Sequence, residues 1–318
     1  MLVNTKDILN EAKKGGYAVG AFNLLSHPTV EAILSAAEET NTPVIIQIND
    51  WVDPNLAAAR RKTQFEADTF MHYLVDRAKM SSVPVAINLD HCKTYEGCIR
   101  AIKWGVTSVM IDGSELPMEE NIAITKKVVA AAHACGVSVE AEIGHVGGRG
   151  DDAVKEDVYT TVEEAKTFYE QTGVDMLAVS IGTTHGVYLK KPELKFDRIT
   201  ELNEAIPIPL VMHGGSGLTK EDYIEVSKRG ISKINFATYM FLAGGQAIED
   251  KVNDAAGKKA EFNSLLKAGF EGQKQIVKEH IGYFGTEKWN KKWMKKFRRG
   301  LVIRRLHVRC CSACVVLQ

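Results

Sequence analysis

Three histidines in this chain stand where a short apolar run gives way to a loop, and one of them has an acid beside it. In Val85-Ala-Ile-Asn-Leu-Asp90-His91-Cys92 the apolar half reads as a strand buried on both faces, ending in a carboxylate and an imidazole side by side. A second histidine follows the apolar run 176–181, in Gly182-Thr-Thr-His185-Gly186. A third follows 209–212, in His213-Gly-Gly-Ser216-Gly217. Any one of them alone reads most simply as a hydrogen-bonded loop or strand-end residue. Three together suit a divalent metal, because neutral imidazoles leave the ion most of its charge and a free position for a substrate oxygen. His27, His72, His133, His145, His280 and His307 lack that setting and read as structural.

The elements that must position these residues alternate with regularity. Asn4 can cap a helix through Lys14, which Gly15-Gly16 stops. Strands are expected at 17–22, 44–48, from Val85 to the Asp90-His91 pair, and at 108–112, 138–143, 176–181, 209–212 and 233–237. Helices are expected at 29–40, 65–80, 96–104, 118–135, 162–172 and 219–229, followed by long polar helices to about Phe284. Eight strands with outer helices predict a single-domain α/β fold, the (β/α)8 TIM barrel with C-terminal helices; no strand has the weak apolar character that an open doubly wound sheet would need at its edges. In such a barrel the site lies at the C-terminal mouth. The strand ends there supply Asn23, Gln47 with Asn49, Asp90 with His91, Asp112 with Ser114, Glu140 with Glu142, His185, His213, and Asn235 with Thr238. Gly214-Gly215-Ser216-Gly217 and Asn235-Phe236-Ala237-Thr238 follow the last two strands, where a barrel commonly holds phosphate on exposed backbone N–H groups.

With 318 residues, 45% hydrophobic and 25% charged, the chain has the composition of a globular protein. No apolar run reaches membrane-spanning length, and the first residues lack the apolar core of a secretion signal, so a cytoplasmic location is expected. The formal charge of zero conceals an asymmetry. Residues 288–318 hold ten of the forty Lys and Arg and no acid, leaving thirty basic against forty acidic side chains in the rest. Domain limits of 1–286 for the barrel and 287–318 for a basic, Cys-containing tail are therefore expected. The tail carries Cys310, Cys311 and Cys314; Cys92, Cys98 and Cys135 have no zinc-like spacing and read as free thiols. The tail's basic amphipathic look would suit an anionic membrane or RNA, but it reads more simply as a solvated extension that the barrel does not need. No nucleic-acid or membrane partner is expected.

The ordered set Leu89-Asp90-His91, Met110-Ile-Asp112-Gly-Ser114, Val139-Glu140-Ala-Glu142-Ile-Gly144, Thr184-His185-Gly186-Val-Tyr188, His213-Gly214-Gly215-Ser216-Gly217 and Lys233-Ile-Asn235 resembles the class II, metal-dependent ketose-bisphosphate aldolases over about 2–284. The resemblance implies that His91, His185 and His213 bind a catalytic Zn2+, which holds the oxygens of dihydroxyacetone phosphate and stabilises its enediolate. It implies that Asp90 handles the proton of the hydroxyl at the cleaved C–C bond. Gly186, Gly214, Ser216, Asn235 and Thr238 would hold the ketose C1 phosphate, with a monovalent cation (Na+ or K+) nearby and Asn23 among the substrate contacts. Asp112 and Glu142 would take the metal when it moves to an alternative site. A homo-oligomer, dimer or tetramer, is implied as well. The chemistry agrees: retro-aldol cleavage leaves negative charge on a former carbonyl oxygen, which a metal stabilises as it forms. A Schiff-base route would want a desolvated lysine inside the barrel, whereas Lys233 is expected to open its strand at the opposite mouth.

The chain departs from the family pattern at three places. After Gly147-Gly148 the family has a glutamate implicated in proton exchange, and Gly150 stands in its place, followed by Asp151 and Asp152. Asn49 replaces a common phosphate-binding serine, and Glu261-Phe262-Asn263 stands where many members carry an Asp-Pro-Arg element for the distal phosphate. These losses leave two alternatives open beside cleavage of a fructose- or tagatose-type 1,6-bisphosphate. One is a weakly active or non-catalytic zinc-dependent phosphosugar binder, and the other an aldolase for a phosphorylated deoxy-keto-gluconate.

Overall fold

In the computed structural model, which describes residues 1–48, 67–144, 159–188 and 190–289, the strands close into a parallel barrel in sequence order. They are β1 (Val19–Asn23), β2 (Val44–Ile48), β3 (Val85–Cys92), β4 (Ser108–Ile111), β5 (Ser138–Ile143), β6 (Met176–Val179), β7 (Leu210–Met212) and β8 (Ile231–Phe236). Around them run α1 (Thr5–Gly15), α2 (His27–Thr40), α3 (Ala67–Met80), α4 (Tyr95–Trp104), α5 (Met118–Ala134), α6 (Val162–Thr172), α7 (Phe196–Ala205) and α8 (Lys220–Arg229), with α9 (Thr238–Asp254) and α10 (Phe262–Tyr283) at the C-terminal side. The expected TIM barrel with C-terminal helices is the fold of this chain.

Local chemistry sets the boundaries. Asn4 accepts a hydrogen bond from the Lys6 N–H and starts α1, and Gly16, in left-handed conformation, ends it. Thr161 and Thr219 form capping boxes with Glu164 and Asp222, fixing the entry to α6 and α8. Every strand buries every residue except His91 in β3, as expected of a sheet covered on both faces. Phe22, Phe70, Phe168 and Phe236 fill the layer between sheet and helices. The N-terminal end of the barrel is closed by α1, whose Ile8, Leu9 and Ala12 join Val19, Ile45, Ala86, Met176, Ala178 and Val211 in one apolar cluster. Above this plug the interior turns polar.

The structure departs from the sequence expectation in three elements. The helix α7 was not expected, because it is short and set between the Lys190-Lys191-Pro192 and Pro207 punctuation; its buried Ile199 and Leu202 are three apart. The strand β8 begins at Ile231, two residues earlier than expected, which places Lys233 within the strand rather than at its start. Trp289, assigned to the tail by its basic neighbours, is only 3% exposed and donates its indole N–H to the Asn41 carbonyl, so the packed body reaches at least that far. Residues 290–318 lie outside the described residues.

Candidate active site

The adjacent Asp90 and His91 can serve one cleft only because β3 breaks its alternation. Successive side chains of an unbroken strand point to opposite faces. Between Leu89 and Cys92 the register against β4 shifts, and His91 takes φ of +50°, a left-handed conformation that costs a non-glycine residue about 1–2 kcal/mol. The result is an imidazole turned toward the other two histidines. The His91 ring lies 4.6 Å from His213 and 5.0 Å from His185, centroid to centroid, and all three rings meet edge to face.

Carboxylates fix which nitrogens face inward. An ionised carboxylate only accepts, so His213 Nε2 donates to Glu140 Oε1 at 2.8 Å and its Nδ1 carries the lone pair. Glu140 Oε2 accepts in turn from Lys233 Nζ at 2.7 Å, and all three side chains are fully buried. By the same reasoning His91 Nδ1 donates to Asp112 Oδ2 at 2.9 Å. Asp112 is steadied by the Ser114 N–H and hydroxyl and by Lys93 at 3.4 Å. What remains is His91 Nε2 facing His213 Nδ1 across 2.9 Å.

That approach requires a positive charge between the two nitrogens, and the electrostatics supply one. Burial disfavours a charged His91, but Asp90, Asp112 and Glu142 outweigh it and push the imidazole up to about 9. Burial, and then the charge on His91, hold His213 well below its ordinary value and therefore neutral. The site is thus built to hold a cation among oriented imidazoles, which is what a divalent metal asks of its ligands. Ligand atoms of His91, His185 and His213 lie within 4.8 Å of one another, as do those of His91, Asp112 and Glu142. Two overlapping donor sets share His91.

Asp90 stands beside this cluster and is nearly buried. Asn23 Nδ2 donates to its Oδ2 at 3.0 Å, and Asn235 Nδ2 to its Oδ1 at 3.3 Å. Burial raises its proton affinity, but the charges on His91 and Lys233 and the Asn23 amide together hold the carboxyl below its ordinary value. It is an ionised acceptor at neutral pH.

On the β6–β8 side, the loops after the strands are drawn together by backbone contacts. Gly214 has φ of +66°, and a Cβ there would lie 2.5 Å from the Thr184 carbonyl oxygen; only glycine lets the two loops approach so closely. The Tyr188 hydroxyl accepts from the Thr184 N–H and donates to the Gly214 carbonyl at 2.6 Å, and burial pushes that phenol up to about 12. The Tyr223 hydroxyl holds the Gly215 carbonyl at 2.6 Å, which turns the Ser216 N–H of the same trans peptide the opposite way. The Ser216 hydroxyl accepts from the Ala237 N–H at 3.1 Å, one residue before Thr238 opens α9. Gly186, Gly214, Ser216 and Thr238 thus share one rim, where a helix N-terminus and turned backbone favour an anion.

A family model described as "Fructose-bisphosphate aldolase class-II" matches residues 3–288. The fructose-bisphosphate aldolase of Staphylococcus aureus is 40% identical over 286 residues, 90% of this chain and 98% of that protein. A probable fructose-bisphosphate aldolase of Bacillus subtilis is 41% identical over 288 residues, again 90% of this chain and 98% of that one. Among solved structures, the YdjI aldolase from Escherichia coli K12 superposes with a TM-score of 0.77 at 30% identity, covering 91% of this chain and all of that one.

The chain belongs to the class-II fructose-bisphosphate aldolase family. It is an aldolase, a carbon–carbon lyase, of a metal-dependent class, with a candidate metal site at the barrel mouth. Among the described residues no helix is long and apolar enough to cross a membrane.

Most residues expected at the site converge there. Asn23, Asp90, His91, Asp112, Glu142, His185, His213 and Asn235 line one mouth, although both ends of the Asn23 amide are engaged, with Asp90 and with Gln47. Lys233 is a correction. It is not at the opposite mouth but inside the barrel, paired with Glu140, because its strand starts two residues earlier and Lys233 therefore lies deeper along it. An ammonium locked on a carboxylate is a poor Schiff-base nucleophile, so the case against that route holds on different grounds. In the sequence Glu140 stands as a polar strand end, and its spacing of two from Glu142 puts both on the inner face. Tyr188 stands in the sequence only as part of the Thr184–Tyr188 motif, with no role attached, and Tyr223 carries no signal beyond its type. Asn49, Gly150, Asp151 and Asp152 lie outside the described residues. Glu261-Phe262-Asn263 forms the start of α10, where the Asn263 amide and the Ser264 hydroxyl both donate to Glu261.

Proposed function

We propose that this aldolase cleaves a ketose 1,6-bisphosphate, of fructose or tagatose type, to dihydroxyacetone phosphate and an aldehyde, using Zn2+ held by His91, His185 and His213. The observation that carries this reading is the facing pair His91 Nε2 and His213 Nδ1, each oriented by its own carboxylate, with His185 completing the set. Bound zinc would draw charge from the substrate's carbonyl and hydroxyl oxygens, lowering the cost of the negative charge that cleavage leaves behind. Asp90, ionised and held at both oxygens, takes the proton from the hydroxyl on the carbon that becomes the aldehyde. Its fixed orientation matters because misplacement on the ångström scale can cost about a hundredfold in rate.

The rim of Gly186, Gly214, Ser216, Asn235 and Thr238 fits the C1 phosphate. Among the described residues, the buried Asn235 Oδ1 accepts no hydrogen bond while Nδ2 of the same amide holds Asp90. A substrate hydroxyl or a monovalent cation is the natural partner for that oxygen. Asp112 and Glu142 give the metal a second set of ligands through His91, and Glu142 lies 3.7 Å from His213 Nδ1. The name fructose-bisphosphate aldolase on relatives covering the whole barrel supports the substrate class and favours turnover over silent binding. We place the protein in cytoplasmic carbohydrate metabolism as a homo-oligomer.

The test is triose phosphate release from fructose 1,6-bisphosphate, tagatose 1,6-bisphosphate and a phosphorylated deoxy-keto-gluconate, before and after chelation. Cleavage of a ketose bisphosphate that is lost with chelator and restored by zinc is expected. Chelator-resistant cleavage would refute the metal assignment, and cleavage of the keto acid alone would refute the substrate class.

A further inference from the structure

Below Asp90 a line of buried polar side chains crosses the barrel interior to α1. Asn23 Oδ1 accepts from Gln47 Nε2 at 3.2 Å, Gln47 Oε1 from Asn88 Nδ2 at 3.3 Å, and Asn88 Oδ1 from the Ser108 hydroxyl at 2.6 Å. The Ser108 hydroxyl meets that of Thr5, in the first turn of α1, at 2.7 Å. Sheet register makes this one layer: Asn23 pairs with Gln47, Gln47 with Asn88, and Asn88 with Ser108 on β1 through β4.

The direction of every bond in the line follows from its upper end. An ionised Asp90 accepts only, so Asn23 must present its amide N–H to it and turn its carbonyl to Gln47. Gln47 must then show its N–H to Asn23 and its oxygen to Asn88, and Asn88 its N–H to Gln47 and its oxygen to Ser108. Ser108 has one proton, given to Asn88, so Thr5 must donate to Ser108. No amide in the line can flip without breaking a neighbour's bond, and bonds aligned head to tail polarise one another. The Asn235 amide on the other Asp90 oxygen has no such backing, since its own carbonyl oxygen accepts nothing among the described residues.

We propose that Asn88 and Ser108, with Thr5 behind them, are positioning residues for proton transfer at Asp90, acting by locking the amide face that Asn23 turns to the carboxylate. This rests on the assignment of Asp90 as the proton-handling group. Neither residue reaches the mouth, so the line should affect the chemical step rather than ligand binding.

The experiment compares kcat, KM and bound zinc for full-length Ser108→Ala, Ser108→Thr and Asp90→Ala, with fructose 1,6-bisphosphate as the probe. Ser108→Ala is expected to lower kcat about fivefold, the effect of one buried hydrogen bond felt at the transition state, with KM and zinc content unchanged. Ser108→Thr, which keeps the hydroxyl, should restore kcat. In an Asn23→Ala background Ser108→Ala should change kcat by less than about twofold, because the lever it acts through is gone. If Ser108→Ala does not fold, Thr5→Val serves in its place, with an expected fall in kcat of about twofold. An unchanged kcat in Ser108→Ala, or an undiminished effect in the Asn23→Ala background, would overturn the proposal while an inactive Asp90→Ala leaves the assignment of Asp90 standing. Turnover at the wild-type rate in Asp90→Ala would overturn both.

Discussion

The two halves of the barrel interior bury polar side chains by opposite means. Beneath Asp90, on β1 through β4, the side chains are neutral amides and hydroxyls joined in one donor line. Beneath His213, on β5 and β8, they are a full ion pair, Lys233 with Glu140. The difference follows from what each upper group needs. A carboxylate that must stay ionised needs donors, and an amide line supplies them without bringing a competing charge. An imidazole that must keep Nδ1 free needs an acceptor at Nε2, and a carboxylate there is strongest. Buried alone, Glu140 would carry a heavy desolvation cost, which the Lys233 ammonium offsets. Neutral lines orient with small, shared contributions, whereas ion pairs orient firmly and fail badly when cut.

The largest effects should come from the metal cluster shared by the two halves. His91→Ala, His185→Ala and His213→Ala should each lose turnover and most bound zinc, read by metal analysis of the purified protein. Full zinc occupancy in all three would remove the site. Next comes the ion pair: Lys233→Met leaves Glu140 buried and uncompensated and should cost about 3–5 kcal/mol in chemical denaturation. Adding Glu140→Gln, which keeps an acceptor for His213, should recover most of that loss. A Lys233→Met protein as stable as wild type would show that the pair is not the support claimed for it. The amide line should break more gently. Asn88→Leu takes the donor from Gln47 Oε1 and the acceptor from the Ser108 hydroxyl and should cost about 1–3 kcal/mol, less than the lysine variant.

The pH dependence of zinc binding sharpens the comparison from another side. His91 is raised from 6.5 to about 9 by the acids around it, so loading zinc must displace that proton. Apparent zinc affinity should therefore fall as pH is lowered below about 9, by about tenfold per unit for one displaced proton. For the metal-free protein the sign reverses. Protonation of His91 contributes stability that is fully present below 6.5 and is lost as pH rises through about 9. Isothermal titration of zinc between pH 6 and 9 (a span of about three units) measures the first trend, and a flat profile would refute it.

The division between the halves also explains what the sequence discloses. The barrel was legible because each strand is a short apolar run, and the three histidines because each ends such a run or follows it within a few residues. Asp90 and His91 were legible as a pair, but the bulge that turns both to one cleft was not, since it lies in a left-handed φ at a non-glycine residue. Asn88 and Ser108 look like ordinary strand residues and Gln47 like a polar strand end, and only the sheet register aligns them into a layer. Lys233 was misplaced by a two-residue error in where β8 starts. A shift of that size leaves the facing direction intact but changes the depth, from the rim of the barrel to its middle. The α7 helix was hidden by its brevity, and Trp289 by the charged residues around it.

The most direct test of the whole account is the Asp90→Ala variant, measured for bound zinc and for triose phosphate release in the same preparation. Asp90 adjoins His91 in sequence yet is assigned the proton and not the metal. Zinc at the wild-type level with cleavage reduced by about 10²- to 10⁴-fold is expected. Loss of zinc from this variant, or cleavage at the wild-type rate, would contradict the separation of roles on which the mechanism stands.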